Sequence, residues 1–436
     1  MKTVLFSALT SIGVSLGLSV STMAAPYCAD LTSVKTLPKK YQKRGPFYSD
    51  TKSGWIIGAD QLKGDFTVTE ETMRLWQAIA GEFQKHGVRL VVLAAPPRPL
   101  FAPPHVLEVM GIDPDTTQKS LKRDFSAYIA ALNAAGIPAP DLTKLTAEIG
   151  PIYFRRDTHW TPEGAARSAA LLRAHLDGTH AAGLLSKVPA KDQYEEKGSL
   201  SRVIEDTCGL RPDPETVTAL TFTRDGSAEA LLAVAEDMPG VALVGTSFSD
   251  RYQNDAYRVA DALAHTLDTE VVNWSVTGGG RTGAMSAFLN SGALGTQGLH
   301  TVIWESPYTT PLTQISDLRQ VLGELRLLTP RQITELRADT VGTDWLNVKE
   351  SFSTTTFEGL RVQTPGHDEG RLVVELISAD GAKTRVKLHK SNRLPQAQRS
   401  DTWAFSFEAL DMAEVARLKL KLADAKGQPF TLQLFR

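Results

Sequence analysis

Apolar and polar positions follow two spacings between residues 26 and 345, and these predict helices interleaved with short buried strands. Residues 69–86 repeat apolar side chains at helical spacing after an acidic first turn, and Gly87 ends the pattern. Residues 125–135 predict another helix. Nearly continuous apolar runs, typical of strands buried on both faces, occupy 88–95, 241–244, 270–274 and 301–304. This alternation predicts an α/β fold with a parallel sheet flanked by helices.

The last ninety or so residues have a different pattern, in which helical spacing fades. Short alternating strands are predicted at 361–363, 371–377, 383–389 and 430–435, with turns at Gly366, Gly381 and Gly427. Such strands favour a compact β-sandwich. We therefore expect an α/β domain at 26–345, with a polar, irregular insertion at 187–237, and a sandwich at 346–436.

The first 25 residues have the order of a secretory signal peptide. Lys2 precedes a long uncharged, largely apolar run, and residues 22–26 are mostly small, as signal peptidase requires. The alternative is a retained membrane anchor, which the many Ser, Thr and Gly residues disfavour. We expect cleavage near residue 25 and a mature chain in the periplasm.

The two cysteines fit an exported protein. Cys28 follows the expected cleavage site and Cys208 lies 180 positions later, so one disulfide is the simplest interpretation in an oxidising compartment. Closing so long a loop stabilises a protein by at most about 5 kcal/mol. Neither cysteine has neighbours that indicate thiol catalysis.

Composition excludes several classes of protein. With 42% hydrophobic and 22% charged residues, the 436-residue chain is globular rather than disordered. A net charge of -2 argues against a general nucleic-acid binder. Two cysteines cannot form a closed zinc finger, and we expect no metal.

Ser247 is the first candidate for chemistry. It follows the apolar strand 241–244 and Gly245, and it precedes a helix predicted from Asp250 onward. Ligands of open α/β sheets collect at the carboxyl ends of strands, where helix-start N–H groups can stabilise an oxyanion. The alternative is an ordinary turn or cap serine.

Asp157 and His159 are the second candidates. They lie two residues apart on a turn before a helix that Pro162 initiates. A carboxylate so placed can orient the imidazole and leave its other nitrogen free as a base, as in a serine triad. An N-cap aspartate beside a surface histidine, or half of a metal site, are the alternatives.

Three motifs together resemble the AlgX/AlgJ family of alginate O-acetyltransferases. They are DTHWTPEG at 157–164, GTSFS at 245–249 and VIWESP at 302–307, in that family's order and approximate spacing. The resemblance implies an SGNH-hydrolase-like fold, and the β-rich tail is similar to the carbohydrate-binding module of the AlgX branch. It implies that Ser247 is the nucleophile, His159 the general base and Asp157 its orienter.

The same resemblance implies the partners. The acceptor would be alginate, an anionic exopolysaccharide, and the acetyl donor another protein of the acetylation machinery. Members of the alginate secretion complex are further expected partners, and no cofactor is required. An exported acetylesterase with the same triad, or a polymer-binding scaffold with a vestigial site, are the competing hypotheses.

Other residues near the predicted site have less definite roles. The Ser247 N–H is one expected oxyanion donor, and Gly279 or Gly280 is a second, because glycine lets backbone amides approach closely. The alternative for these glycines is a flexible turn. Tyr308 lies where AlgX-like proteins carry a functional tyrosine, with packing as the alternative. Arg281 could attract a carboxylate.

The tail carries the positive charge. Residues 346–436 contain 14 Lys/Arg and 11 Asp/Glu, so residues 26–345 have a net charge of -6. In a strand, alternate residues share one face. We expect a polysaccharide-binding stripe, extended beyond the strand, with a tryptophan that stacks on a sugar ring: Lys383, Arg385, Lys387, His389, Lys390, Arg393 and Trp403. The alternative is a solvated strand face.

Overall fold

The computed structural model describes residues 25–147, 150–178, 190–222, 240–250, 259–311, 313–340, 345–347, 357–368, 370–410, 415–423 and 427–436. The predicted signal peptide lies outside these residues except for its last position. So do residues 251–258, where a helix after the nucleophile was expected, and parts of the predicted insertion at 187–237.

The described chain contains α-helices and strands in alternation, followed by strands alone. The helices are α1 (Glu70–Lys85), α2 (Pro104–Val109), α3 (Pro114–Ala134), α4 (Pro162–Asp177), α5 (Ser199–Cys208), α6 (Val259–Leu267), α7 (Gly280–Asn290) and α8 (Ile315–Arg326). The strands are β1 (Phe47–Ser49), β2 (Ile56–Gly58), β3 (Arg89–Ala94), β4 (Ala190–Glu196), β5 (Glu215–Leu220), β6 (Val241–Val244), β7 (Val271–Asn273), β8 (Thr301–Ser306), β9 (Ile333–Thr340), β10 (Leu346–Asn347), β11 (Gly359–Gln363), β12 (Gly370–Ser378), β13 (Lys383–Lys390), β14 (Thr402–Ser406), β15 (Val415–Ala423) and β16 (Pro429–Phe435).

A parallel sheet with strand order β3-β8-β6-β7 forms the centre of the first part. One face is covered by α1, α3, α7 and α8, through side chains such as Leu75, Phe125 and Phe288. The other face is covered by α4 and α6, through side chains such as Ala165 and Leu263. The predicted parallel sheet between helices is thus confirmed.

The local signals for α1 explain why its limits were well predicted. The Thr69 hydroxyl caps the helix by accepting a hydrogen bond from the Thr72 N–H at 3.1 Å. Gly87 ends it with a φ of 72°, which favours glycine. By contrast, α3 begins at Pro114, well before the predicted residue 125, because a capping Asp113 and an early proline start it within a polar stretch.

The C-terminal strands form two antiparallel sheets, ordered β10-β15-β12-β13 and β14-β11-β16-β9. Their inner faces enclose a core that includes Leu360, Leu388, Phe405 and Leu432. The expected boundary at residue 346 needs correction, because β9 pairs with β16 from Ile333 onward. The sandwich therefore takes up a strand that was assigned to the preceding domain.

Helix α8 joins the two parts. The Arg319 guanidinium donates to the Ser406 carbonyl at 3.0 Å and to the Glu71 carboxylate at 2.6 Å. A Cβ at Gly323 would lie only 2.7 Å from the Phe405 backbone nitrogen, so α8 contacts β14 at backbone distance. The sandwich consequently packs on a helix that also covers the central sheet.

The described part of the predicted insertion is ordered rather than irregular. It contains the antiparallel pair of strands β4 and β5, and helix α5 lies between them in the chain. Cys208 at the end of α5 forms the predicted disulfide with Cys28, with 5.8 Å between their Cα atoms. Within the described residues, the search for an apolar helix of membrane-spanning length found none.

Candidate active site

The carboxyl edge of the central sheet positions the candidate nucleophile. Ser247 lies in the turn that follows β6 and is half-buried. His159 lies just before α4, whose first turn is capped by the Thr161 hydroxyl accepting from the Gly164 N–H at 3.0 Å. A bridge between Tyr153 and Trp160 closes the chain on both sides of the Asp157–His159 turn.

The three predicted triad residues converge. The Ser247 Oγ lies 2.8 Å from the His159 Nε2. On the opposite side of the ring, the His159 Nδ1 is hydrogen-bonded to the Asp157 Oδ1, which also accepts the His159 backbone N–H at 2.9 Å. Asp157 is fully buried and His159 is 9% exposed. This is the geometry of a nucleophile, a base and an orienter.

The second carboxylate oxygen of Asp157 has a partner from a distant segment. The backbone N–H of Ser199, at the start of α5, donates to Asp157 Oδ2 at 2.5 Å. The backbone before Asp157 is held as well, because the Glu215 carboxylate accepts the Arg156 N–H at 2.7 Å and the Arg155 N–H at 3.1 Å. Ser199 therefore holds the Asp157 carboxylate, and Glu215 holds the backbone that precedes it.

Buried Arg98 holds the backbone that leads into the Asp157–His159 turn. Its Nε donates to the Phe154 carbonyl at 3.0 Å, and its Nη1 donates to the Ile56 carbonyl at 2.7 Å. Its guanidinium lies 4.6 Å from the centre of the Trp55 ring. A planar guanidinium can satisfy several carbonyls at once, and it restricts the backbone leading to the triad.

Glu305 lies beneath the nucleophile turn, at the end of β8, and is fully buried. Its carboxylate accepts the Thr246 backbone N–H at 2.6 Å and the Thr246 hydroxyl at 3.0 Å. Burial raises the pKa of Glu305 to about 7. A Cβ at Gly245 would come within 2.5 Å of the Glu305 Oε2, which explains the glycine of the Gly-Thr-Ser motif.

An aromatic cluster lies on one side of the imidazole, with Phe248 in direct contact with it. The Phe248 ring lies 4.7 Å from the His159 ring and 5.8 Å from the Tyr308 ring. The Tyr308 hydroxyl donates to the Thr158 carbonyl at 3.1 Å, between the two loop residues of the triad. The Trp160 indole donates to the Phe248 carbonyl at 2.8 Å. These contacts exclude water from one side of the base.

The predicted oxyanion donors and the predicted substrate contact of Arg281 agree with the structure to different degrees. Among the described residues, nothing accepts the Ser247 N–H, so it stays the expected donor. Gly279 donates its N–H to the Val276 carbonyl at 3.0 Å, so of the two glycines predicted as alternatives it is the less suitable donor. Gly280, the exposed first residue of α7, stays a prediction. Arg281 is 1% exposed and paired with Asp317 at 3.1 Å, so its burial corrects the expected contact with substrate.

On the tail, the structure separates the predicted polysaccharide-binding residues into two groups. The outward-facing positions of β13 carry Lys383, Arg385, Lys387 and His389, while Val386 and Leu388 face the core. Arg385 is ion-paired with Glu375 at 2.5 Å.

Trp403 and Lys390 correct the expected stripe. Trp403 is 1% exposed in the sandwich core, and the Lys390 ammonium lies 4.7 Å from the centre of its ring. Lys390 is itself 9% exposed, so burial keeps both side chains from a sugar. Burial lowers the pKa of Lys390 to about 8. Arg393 is exposed and packs against Gly278, beside the start of α7.

Sequence reasoning did not identify Ser199, Glu215, Arg98 or Glu305 as parts of the site. Ser199 and Glu215 belong to a region that its polarity made look irregular, and no local pattern links them to Asp157. Glu305 did have a signal, since a glutamate at the end of a buried strand rarely lies there without a specific partner. Within the described ranges, no group of three or more His, Cys, Asp or Glu side chains could hold a metal ion.

Known proteins share this arrangement of elements. Residues 52–308 match the family described as SGNH hydrolase-like domain, acetyltransferase AlgX. The chain is 28% identical over 292 residues to the probable alginate O-acetylase AlgJ of Pseudomonas aeruginosa, covering 62% of this chain and 71% of AlgJ. It is also 28% identical over 274 residues to the alginate biosynthesis protein AlgX of that organism, covering 60% of this chain and 55% of AlgX.

The chain thus spans little more than half the length of that AlgX sequence. A solved structure of Pseudomonas aeruginosa AlgX superimposes with a TM-score of 0.68 over 93% of this chain and 99% of the other, at 22% identity, which shows a shared fold. The predicted family resemblance and the SGNH-like fold are confirmed. Because the family match covers more than half of its residues, the chain belongs to the AlgX family of acetyltransferases with an SGNH hydrolase-like domain.

Proposed function

We propose that this protein transfers acetyl groups through Ser247 to hydroxyls of alginate. The observation that carries the proposal is the 2.8 Å contact between Ser247 and His159, with Asp157 behind the ring. The family consists of acetyltransferases, and the relatives named above are alginate proteins. Ser247, His159 and Asp157 are the catalytic residues in this proposal.

The geometry supports a two-step transfer. His159 Nε2 takes the Ser247 proton as the oxygen attacks the acetyl carbonyl, and it then gives that proton to the departing donor. The product of this step is acetyl-Ser247. An acceptor hydroxyl then loses its proton to the same nitrogen and attacks the ester, and the proton returns to the serine oxygen as it leaves. Asp157 holds the ring and stabilises the imidazolium throughout.

The outer face of the sheet β10-β15-β12-β13 supports an anionic acceptor. Lys383 and Lys387 project from β13, and the strand register brings Arg371 of β12 and Lys421 of β15 to the same face. A polymer held there by several weak contacts stays near the enzyme between transfers. We propose this face as the polysaccharide-binding surface of the C-terminal sandwich.

The location and partners of the protein belong to the same proposal. The signal-like N-terminus and the Cys28–Cys208 disulfide support export to the periplasm. The mechanism needs an acetyl donor there, which we propose is another protein of the acetylation machinery. Members of a secretion complex are the other partners in this proposal.

The nucleophile is tested by Ser247→Ala. The protein would be incubated with a chromogenic acetyl ester and mannuronate oligomers, and both acetate and acetylated oligomer would be measured. We expect loss of both products by at least a thousandfold, because removing a triad member removes the covalent route. Ser120→Ala, at a partly exposed position of α3, is the matched control and should retain activity.

Each other outcome assigns a different function. Acetate release from the unsubstituted protein without acetylated oligomer would make it an esterase. Undiminished polymer acetylation in cells that carry only the Ser247→Ala variant would leave a scaffold that holds polymer.

A further inference from the structure

The N-terminal segment, residues 26–54, carries a dense group of positive charges. Residues 35–44 contain five Lys/Arg and no Asp/Glu, and no other ten-residue window of the sequence has as many Lys/Arg. The whole segment has six Lys/Arg and two Asp/Glu, a net charge of +4. Since residues 26–345 have a net charge of -6, residues 55–345 have a net charge of -10. The segment is thus a basic surface on an acidic α/β part.

Contacts with helix α5 hold this segment on the body of the protein. The Cys28–Cys208 disulfide joins the start of the segment to the end of that helix. The Tyr41 hydroxyl donates to the Asp206 carboxylate at 2.5 Å. Buried Leu37 belongs to a cluster that includes apolar side chains of α5. The cations are therefore carried on a fixed surface, and binding through them costs little ordering of the chain.

Three lysines of the segment are available to a partner. Lys35, Lys39 and Lys43 are exposed and lie four residues apart. Among the described residues none of the three is ion-paired, whereas Lys40 is paired with Asp206 at 2.6 Å. Ammonium groups without a carboxylate partner keep their full attraction for an anionic surface.

Exposed apolar side chains lie at the same end of the molecule. Val34, directly before Lys35, is 37% exposed. Leu210, two residues after the disulfide-bonded Cys208, is 45% exposed, and its Cα lies within about 8 Å of the Cys208 Cα. Single exposed apolar residues are ordinary on a protein surface. Beside a group of cations, however, they add shallow apolar contact with the interfacial region of a bilayer.

The shape of this surface favours a bilayer as the partner. Two cavities in the described part of the chain, with volumes of about 750 Å³ and 90 Å³, are lined by residues outside the segment. The segment thus offers charge and shallow apolar contact rather than a shaped pocket. An anionic bilayer spreads its charge over a plane, and each lysine near it strengthens binding by about fivefold. Groups of four to eight cations beside an apolar stretch are typical of segments that bind such membranes.

We propose that residues 26–54 dock the protein on a membrane surface that contains anionic phospholipid, with Lys35, Lys39 and Lys43 against the headgroup phosphates. The acidic remainder of the α/β part is repelled by the same surface, so the bound protein has a preferred orientation. One end of α5 lies at the docking surface and Ser199 at its other end contacts Asp157. The triad is therefore about one helix length, about 15 Å, from that surface.

Vesicle flotation tests the proposal. The full chain is mixed at low salt with vesicles of phosphatidylcholine alone, or of phosphatidylcholine with about one third phosphatidylglycerol, and the apparent Kd for lipid is measured. The segment variant carries Lys35→Ala, Lys39→Ala and Lys43→Ala. The matched control removes the same charge from three exposed lysines of the α/β part: Lys119→Ala, Lys122→Ala and Lys144→Ala.

We expect the unsubstituted protein to bind the phosphatidylglycerol vesicles at least about a hundredfold more tightly than the neutral ones. The segment variant should lose about a hundredfold in affinity for the anionic vesicles, about fivefold for each lysine, and the control less than about twofold. High salt should remove most of the preference for anionic lipid, because the attraction is screened. Insertion of the apolar residues 3–23 would instead be equal for both vesicles and insensitive to salt.

Three results would overturn the proposal. They are equal affinity of the unsubstituted protein for the two kinds of vesicle, equal weakening in the segment variant and the control, and weaker mannuronate-polymer binding by the segment variant with unchanged vesicle binding. The last result would assign the surface to a polyanion. Thermal unfolding of each variant verifies folding. Vesicle binding does not depend on acetyl transfer, so a failure of the proposed function leaves this test intact.

Discussion

Glu305 is a buried carboxyl group whose partners in the described chain are neutral. It holds the Thr246 backbone directly before Ser247, so in the proposed mechanism it is a positioning residue. Because burial penalises the charged form, the folded protein keeps a proton on Glu305 at pH values where the unfolded chain has released it. The interaction that holds the turn before Ser247 therefore depends on pH, through the protonation state of Glu305.

Replacing this carboxyl group should change the pH dependence of stability. The pKa of Glu305 is raised from 4.5 to about 7, so its effect on folding becomes unfavourable as pH rises through that range, by about 3 kcal/mol at pH 8. Glu305→Gln has no ionisable group at this position, so it does not lose this stability as pH rises. In urea unfolding at pH 5 and pH 8, the variant should gain stability relative to the unsubstituted protein at the higher pH.

The exposed Glu108 of α2 provides the control. Glu108→Gln should change the free energy of unfolding by the same amount at pH 5 and at pH 8. If Glu305→Gln followed the same pH dependence as the unsubstituted protein, Glu305 would be charged throughout this range.

At the scale of elements, α8 is the joint between the two parts of the molecule. Gly323→Ala would place a methyl group 2.7 Å from the Phe405 nitrogen and 2.9 Å from the Ala404 carbonyl carbon, which are backbone atoms. We expect a loss of about 1–3 kcal/mol from overpacking, seen as a lower Tm in calorimetry. The sandwich and the α/β part should then unfold in separate transitions.

Gly81 offers a matched control, because it lies in α1 with nothing within 4 Å of a Cβ. Gly81→Ala should stabilise the protein by about 0.5–1 kcal/mol. If both variants had the same Tm, the close contact of α8 with β14 would not hold in solution.

The limits of sequence prediction also lie at this scale. The central strands were predictable because burial on both faces leaves continuous apolar runs, and Val241–Val244 has the same limits in the structure. Strand β9 was missed because its sequence, ITELRADT, is polar. Asp157 and His159 shared a local motif, whereas the Ser199 contact with Asp157 spans 42 positions and leaves no pattern in the chain.

At the scale of the whole molecule, charge is segregated between an acidic α/β part and a basic sandwich face. Lys387 and Lys421 lie on either side of Val373 across three strands. The double variant Lys387→Glu, Lys421→Glu should bind mannuronate polymer about tenfold more weakly, because two attractions become repulsions. Binding would be measured at low and high salt, and the difference should shrink as salt rises.

The same change in charge elsewhere separates a local surface from a net-charge effect. Lys39 and Lys43 are exposed on the N-terminal segment, so Lys39→Glu, Lys43→Glu should leave polymer binding unchanged. Equal weakening in the two double variants would mean that total charge, rather than the sandwich face, governs polymer binding.

In the proposed mechanism, helix α5 links thiol oxidation to the positioning of Asp157. Its first residue donates to Asp157, and its last residue is Cys208, bonded to Cys28. One ten-residue helix thus connects the disulfide of the N-terminal segment to the Asp157 carboxylate beside His159. A newly made chain would reach full acyl-transfer competence after the redox chemistry of its compartment has closed that bridge.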